Sequence, residues 1–207
     1  MRTKNIFACL LFLFTVQAVS AQNNADAIIR VIVDQIKSHK NVEMTFNYQL
    51  NSKGEKLENS EKGHAWLQGE SYKIEMTEQQ TISNGKTIWS YLIDEKEVMI
   101  SNATDGVDNT PLKLLTSLDK NYAASLTNID SQGIAKIELA NADGQYKRIT
   151  LRIDTKKTEL KSADIYLDED NKLVINVEEM KYDQNLDDKF FTFDTKKHPL
   201  VDIIDMR

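Results

Sequence analysis

The sequence predicts an α+β protein, mainly β, in which helices cover one face of an antiparallel sheet. Three observations support this prediction. Residues 43–102 and 134–182 repeatedly alternate apolar and polar side chains, in short runs separated by turns. The pair Asn84-Gly85 lies between two such runs and is the strongest short signal for a β-hairpin. Residues 25–40 and a segment beginning near Thr110 instead carry apolar residues at helical spacing.

The first residues are typical of an export signal. Arg2 and Lys4 precede an apolar run, residues 6–16, that is too short to span a bilayer comfortably. Val19 and Ala21 then occupy the −3 and −1 positions of a cleavage before Gln22. We therefore expect residues 1–21 to be a cleaved signal peptide and residues 22–207 to form a single domain.

Charge and cysteine content limit the possible functions. The net charge is −6, and the predicted signal contains two basic residues and no acidic one, so the exported part is more acidic still. An acidic chain is a poor ligand for nucleic acid or for an anionic membrane surface. The single cysteine, Cys9, lies in the predicted signal, so no disulfide is expected and a packed core must stabilise the fold. These features predict a monomeric carrier or binding protein.

The predicted helix over residues 25–40 has one apolar stripe that requires a sheet or helix beneath it. Asn24 or Asp26 could cap its start. Its stripe comprises Ala27, Ile28, Val31, Ile32, Gln35 and Ile36.

The strands of the first half alternate clearly, and each presents one apolar face. In chain order, the residues that share a face within a strand are Met44, Phe46, Tyr48 and Leu50; Tyr72, Ile74 and Met76; Trp89, Tyr91 and Ile93; and Val98 and Ile100. A further strand, His64–Gln68, is centred on Trp66, whose neighbours do not alternate cleanly.

The pattern then changes to a helix and returns to strands. Thr110 can cap a helix with Pro111 in its first turn, and Leu112, Leu114, Leu115 and Leu118 provide apolar contact. Strands are predicted over residues 134–139, 148–153, 160–167 and 173–182, followed by an aromatic cluster of Phe190, Phe191 and Phe193 and a final short segment from His198.

The residues that carry catalysis or bind metals are not arranged in recognisable motifs. His39, His64 and His198 lack the spacing of zinc ligands, and the sequence contains no nucleophile or phosphate-binding motif. Asp168-Glu169-Asp170 begins like a calcium loop, but Leu173 stands where that loop needs glycine, which favours a charged turn. We therefore expect no cofactor, no metal and no enzymatic activity.

Four motifs, in this order, resemble the LolA/LolB family of periplasmic lipoprotein carriers. The first two are the strand Gly63-His64-Ala65-Trp66-Leu67 and the hairpin running from Ile82 to Tyr91. The third is the helix start Asn109-Thr110-Pro111-Leu112-Lys113-Leu114-Leu115. The last is a closing Phe-rich strand, Asp187-Asp188-Lys189-Phe190-Phe191-Thr192-Phe193, followed by Pro199-Leu200-Val201-Asp202. The family arginine that helps to hold the helical lid closed is absent, because the strand here ends Gln68-Gly69-Glu70.

The resemblance implies an unclosed, strongly curved antiparallel half-barrel with helices covering its concave face. It also implies a periplasmic carrier that shuttles lipoproteins from the inner to the outer membrane and receives them from an inner-membrane lipoprotein-releasing ABC transporter. It names no outer-membrane acceptor. The expected acyl-chain cleft is lined by Phe46, Tyr48, Trp66, Tyr72, Ile74, Met76, Trp89 and Tyr91, and the expected lid by Ile28, Val31, Ile32, Leu114 and Leu115.

Two alternatives remain open at this stage. The weaker is a hydrolase, which would be supported by turnover of an ester substrate that a single carboxylate substitution removes; the stronger keeps the fold and changes its use. The same half-barrel could have a permanently filled cleft and serve as a non-transporting lipid-binding or scaffold module of the cell envelope. Strand alternation identifies the residues that share a face, but it does not identify the concave face.

Overall fold

The computed structural model describes residues 15–52, 60–103, 122–141, 146 and 148–207. A single α-helix, α1 (Thr15–Ser38), precedes the strands in this part of the chain. The strands are β1 (Val42–Ser52), β2 (Glu61–Gln68), β3 (Ser71–Glu75), β4 (Gln79–Asn84), β5 (Thr87–Leu92), β6 (Glu97–Asn102), β7 (Ala123–Ile129), β8 (Ile134–Ala140), β9 (Arg148–Asp154), β10 (Glu159–Tyr166), β11 (Asn171–Tyr182) and β12 (Asp202–Asp205).

All twelve strands belong to one sheet, in the order β12-β6-β5-β4-β3-β2-β1-β11-β10-β9-β8-β7. Consecutive strands β1 to β6 form one antiparallel meander and β7 to β11 form another, and pairing of β1 with β11 joins the two. The sheet is curved and unclosed, which confirms the predicted fold class. It is not wholly antiparallel, because β12 runs parallel to β6. The predicted Thr110 helix lies outside the described residues.

Helix α1 covers one face of this sheet, which we call the helix face; the opposite one is the outer face. Buried Ala25, Ile29, Ile32, Val33 and Ile36 of α1 share a core with strand residues from β1 to β3 and β7 to β11. The buried stripe is rotated from the predicted one, because Ile29 and Val33 point inward while Ala27 and Val31 are exposed. The helix carries apolar residues on more than one side, so spacing alone could not select the buried side.

The start of α1 also differs from the prediction. The helix begins at Thr15 and continues through Asn24 and Asp26, so neither residue caps its N-terminus. Within the described part of the chain, no helix has the apolar length that a membrane span requires.

The outer face is covered at one end by residues 187–201, which we call the strap. Phe191 and Phe193 of the strap are buried, and Phe193 packs with Ile82 and Val98 of the sheet. The strap contains two 3-10 turns, Asp188–Phe191 and Thr195–Lys197, and not the closing Phe-rich strand expected from the resemblance. Asp187 and Asp194 cap these turns by accepting hydrogen bonds from the backbone N–H groups of Lys189 and Lys196.

The predicted hairpin at Asn84-Gly85 is confirmed, but its turn differs in detail. Ser83 pairs with Ile88, and the Asn84 side-chain oxygen accepts hydrogen bonds from the N–H groups of Lys86 and Thr87. Gly85 has a φ of +82°, whereas Asn84 is not in the left-handed region. The asparagine therefore closes the turn through its side chain and not through its backbone conformation.

Gly63 of β2 provides the space for the Phe46 ring of the neighbouring strand. A Cβ atom at position 63 would lie close enough to clash with the ring, whose buried position in the core restricts its movement. We expect Gly63→Ala to lower the free energy of unfolding by about 1–3 kcal/mol, the usual cost of overpacking a core. Urea denaturation of the wild type and of Gly63→Ala measures this difference in the free energy of unfolding.

A second variant distinguishes this clash from a general effect on strand β2. In the Phe46→Leu background, which removes the ring, Gly63→Ala should cost markedly less than in the wild-type background. Equal costs in the two backgrounds would show that the ring is not the cause.

Candidate functional site

The sheet separates seven of the eight predicted lining residues onto two faces. Paired residues of neighbouring strands share a face. Met44 pairs with Ala65, and Ala65 pairs with Ile74, so these lie on the helix face. On the same basis Phe46, Tyr48 and Tyr72 belong to the helix face, which contains their core contacts. The structure therefore brings together Phe46, Tyr48, Tyr72 and Ile74.

The three remaining sheet aromatics lie on the outer face. Trp66 pairs with Lys73, Lys73 with Ile82, and Ile82 with Trp89. Tyr91 lies two residues after Trp89 on the same strand. A single cleft lined by all eight residues is therefore wrong, because strand pairing directs these three aromatics away from α1. Their own partners are in the strap: the Trp66 ring centroid lies 5.2 Å from that of Phe190, and the Tyr91 centroid 5.2 Å from that of Phe193.

Met76 lies just beyond the end of β3, in the connection to β4. Its side chain is half-buried, and its N–H donates to the Gln79 carbonyl oxygen at 2.9 Å. Strand pairing does not reach Met76, so its position in a cleft stays a prediction.

Burial on the helix face is uneven along the sheet. Ala135, Ile137 and Leu139 of β8 are completely buried, near the end of the sheet where α1 packs against β7. Tyr48, Leu67 and Ile74, in β1 to β3, pack against the same core but are only half-buried. Half-buried apolar residues also occur in β7 and β11, so accessible apolar surface is not confined to β1 to β3.

Leu67 was missing from the predicted lining. It pairs with Val42 and with Tyr72, which puts it on the helix face beside the residues that were predicted. The sequence did contain a signal, because Gly63, Ala65 and Leu67 alternate with the polar residues Lys62, His64 and Gln68. Trp66, the largest apolar side chain of this strand, was included in the predicted lining instead, although it lies on the opposite face.

The predicted lid residues of α1 divide in the same way. Ile32 is buried in the core and Ile28 packs against it, whereas Val31 is 54% exposed and faces away. Ile29 and Val33 take the position expected for Val31. Leu114 and Leu115, the other predicted lid residues, lie outside the described residues.

Three half-buried tyrosines of the helix face, Tyr48, Tyr122 and Tyr146, have hydroxyl groups that stay protonated. The Tyr48 hydroxyl donates to Glu61 Oε2 at 2.6 Å and accepts from the Thr77 N–H at 3.2 Å. Burial is the main cause that raises the pKa of Tyr48, and burial likewise raises the pKa of Tyr122 and Tyr146. These tyrosines are therefore neutral phenols at neutral pH, and they present apolar rings to the core.

The C-terminal end of α1 is attached to the end of β11. His39 Nδ1 lies 2.7 Å from Asp183 Oδ2, and the Lys40 N–H donates to Asp183 Oδ1 at 2.7 Å. The His39 ring stacks on Tyr182 with 4.2 Å between centroids, and Gln35 Nε2 donates to the Tyr182 hydroxyl. These contacts fix the C-terminal end of the helix to the sheet.

Asp183 makes this attachment sensitive to acid. The hydrogen bonds from His39 and from the Lys40 N–H hold the pKa of Asp183 below its usual range. A carboxylate with a lowered folded-state pKa stabilises the protein above its unfolded-state pKa, and this contribution is lost as pH falls through the folded-state pKa. Replacing Asp183 by asparagine should therefore cost more stability at pH 7 than at pH 3.

Urea denaturation at the two pH values tests this prediction. The difference in free energy of unfolding between the wild type and Asp183→Asn should shrink on acidification. Glu95→Gln, in the exposed turn after β5, is the control and should cause little change at either pH. A difference for Asp183→Asn that is the same at pH 7 and pH 3 would contradict the proposed attachment.

Comparison with known proteins gives a consistent family match. Residues 37–194 match a family model described as "Outer membrane lipoprotein carrier protein LolA". An outer-membrane lipoprotein carrier protein of Pasteurella multocida (strain Pm70) is 31% identical over 96 residues, which are 46% of this chain and 40% of that protein. The match therefore spans less than half the length of that relative.

Solved structures resemble this chain at low sequence identity. An uncharacterized conserved protein from Thermus thermophilus has a TM-score of 0.58 and 13% identity, over 88% of this chain and 99% of that chain. The LolA superfamily protein NE2245 from Nitrosomonas europaea has a TM-score of 0.45 and 13% identity, over 82% of this chain and 97% of that chain. At such identities the Thermus likeness shows the fold alone.

Proposed function

Because this chain belongs to the LolA family of outer membrane lipoprotein carrier proteins, we propose that it binds the acyl chains of lipoproteins and carries them from the inner to the outer membrane. The observation that carries the proposal is the family match itself. It extends over residues 37–194, which include the C-terminal end of α1 and all strands from β1 to β11. A carrier that works between two membranes requires export, in agreement with the predicted signal peptide.

The physical task defines what the carrier has to provide. Exposing an acyl chain to water costs roughly 0.8 kcal/mol per CH₂, so a sixteen-carbon chain costs about 12 kcal/mol. A lipoprotein cannot cross the aqueous periplasm unless an apolar surface replaces the membrane. In our proposal the half-buried part of the helix face provides this surface through Tyr48, Leu67 and Ile74.

Release requires that binding be reversible. Helix α1 already packs apolar side chains against the helix face, so the helix and an acyl chain would compete for the same surface. We propose that the chains enter beside Tyr48, Leu67 and Ile74, in β1 to β3, and extend from there into the surface that α1 covers. The proposal includes an inner-membrane lipoprotein-releasing ABC transporter as donor, a periplasmic location, a monomeric carrier and no catalytic activity. It does not name the outer-membrane acceptor.

A release assay tests the carrier function. Inner-membrane vesicles that contain an energised donor complex and a labelled native lipoprotein are incubated with residues 22–207, and the soluble and pelleted label are then separated. We expect the label to become soluble as a one-to-one complex with the protein. Full retention of the label in the pellet, with the protein folded and the donor active, would overturn the carrier proposal and favour the scaffold alternative.

A further inference from the structure

A cavity of about 500 Å³ lies on the outer face, between the strap and strands β3 and β4. The strap crosses the sheet here and is anchored by two buried side chains, Phe191 and Phe193. The cavity is partly open to solvent. The volume is within the range of small-molecule sites, about 300–1,000 Å³. We call this cavity the strap pocket.

Part of the strap pocket wall is apolar, and neighbouring side chains hold this part in place. Ile82 and Phe193 are 3% and 6% exposed. Phe190 packs edge-on against both Trp66 and Phe191, each with 5.2 Å between ring centroids. The His198 ring stacks on Phe193 at 4.8 Å. Two phenylalanine rings and one isoleucine therefore provide an apolar part of the pocket wall, beside the His198 ring and polar side chains.

Positive charge is concentrated around these walls. The Lys73 side chain is 16% exposed, and its ammonium group lies 4.7 Å from the centroid of the Phe190 ring and 2.7 Å from Glu75 Oε1. Glu75 Oε1 also accepts a hydrogen bond from Gln80 Nε2 at 2.8 Å, so this carboxylate is shared.

Two further lysines, Lys189 and Lys197, line the pocket from the strap. In the described part of the chain neither has an ion-pair partner. The pocket contains one carboxylate, that of Asp194, which accepts the Lys196 N–H. Cationic side chains thus outnumber anionic ones in this cavity, in a protein with a net charge of −6.

We propose that the strap pocket binds a small organic anion that has an apolar body, of the class of aryl or alkyl phosphates. The lysine ammonium groups would pair with the phosphate, and the aromatic walls would cover the body. This site lies on the opposite side of the sheet from the acyl-binding surface proposed above, so it is a separate function. The phosphate belongs either to a soluble metabolite or to the headgroup of an anionic lipid.

Calorimetric titration of residues 22–207 with 1-naphthyl phosphate tests the site. We expect one molecule bound per chain, and binding at least about tenfold weaker in the double variant Lys189→Gln/Lys197→Gln, which loses two charge-assisted contacts. Lys196→Gln is the matched control, because Lys196 is exposed in the same strap turn but does not line the pocket. Its affinity should equal that of the wild type.

Two further probes separate the sources of the phosphate. Inorganic phosphate should bind much more weakly than 1-naphthyl phosphate, because it cannot use the aromatic walls. Sedimentation with phosphatidylglycerol vesicles that is reversed by 1-naphthyl phosphate would identify the lipid headgroup as the source, and no sedimentation would identify a soluble anion. Absence of 1-naphthyl phosphate binding, or equal binding by the wild type and the double variant, would overturn the proposal.

Discussion

Replacing Ile29 by aspartate is expected to lower the free energy of unfolding by at least about 3 kcal/mol. Ile29 is 2% exposed and packs in the core between α1 and the helix face. The substitution removes a large apolar side chain and puts an unpaired carboxylate in an apolar environment, and each change is among the most destabilising known. Urea denaturation followed by circular dichroism measures the loss.

Val31→Asp is the matched control on the same helix. Val31 is also a β-branched residue, only two positions away, but it is 54% exposed. Its substitution should change the free energy of unfolding by no more than about 0.5 kcal/mol. A large loss at Val31 together with a small loss at Ile29 would mean that α1 buries the stripe predicted from the sequence and not the one described here.

The second large effect concerns acyl-chain binding. Ile74→Asp should reduce the affinity for a fluorescent diacylated lipopeptide without net charge by more than about tenfold, because an acyl chain would have to desolvate the new carboxylate. Ile74 is half-buried on the helix face, so part of the cost to folding is relieved by solvent. Fluorescence titration measures the affinity, and circular dichroism verifies that the variant is folded.

Thr45→Asp is the control for this experiment. Thr45 is half-buried like Ile74, but it pairs with His64 and Glu179 on the outer face of the sheet. A carboxylate there should leave lipopeptide affinity nearly unchanged. If Thr45→Asp abolishes binding and Ile74→Asp does not, the acyl chains bind on the outer face and the proposed surface is wrong.

The strands could be predicted well from the sequence because alternation is a local property. Strands β1, β3, β5 and β6 correspond to clear period-two runs, because alternate side chains of a strand point to the same face of the sheet. Strand β7 was missed because it lies at the edge of the sheet and most of its side chains are exposed. An edge strand with few buried side chains gives almost no periodic signal.

The faces could not be assigned because both sides of this sheet are covered. In β5, Trp89 and Tyr91 form the clearest apolar face of the sequence, yet the strap covers that face, not α1. Alternation shows only that the two aromatics lie together. Their cover is formed by residues about a hundred positions later, and no local pattern reveals such a contact.

The strap itself was predicted as a strand because it is rich in phenylalanine. Its turns did have a local signal, since Asp187 and Asp194 each precede a short segment that their side chains cap. Aspartate before a turn competes with strand pairing by accepting nearby backbone N–H groups. The strap pocket depends on how these turns pack against β3 and β4, and this arrangement is not encoded in any short motif.

Site-specific photo-crosslinking of a lipoprotein complex tests the central claim most directly. A benzophenone amino acid is introduced at Tyr48, on the helix face, or at the adjacent Asn47, which pairs with Lys62 and Asn176 on the outer face. The proposed carrier mechanism predicts crosslinks between position 48 and the acyl chains of a released lipoprotein, and none from position 47. Crosslinks from position 47 alone would contradict it, because acyl chains would then bind away from α1.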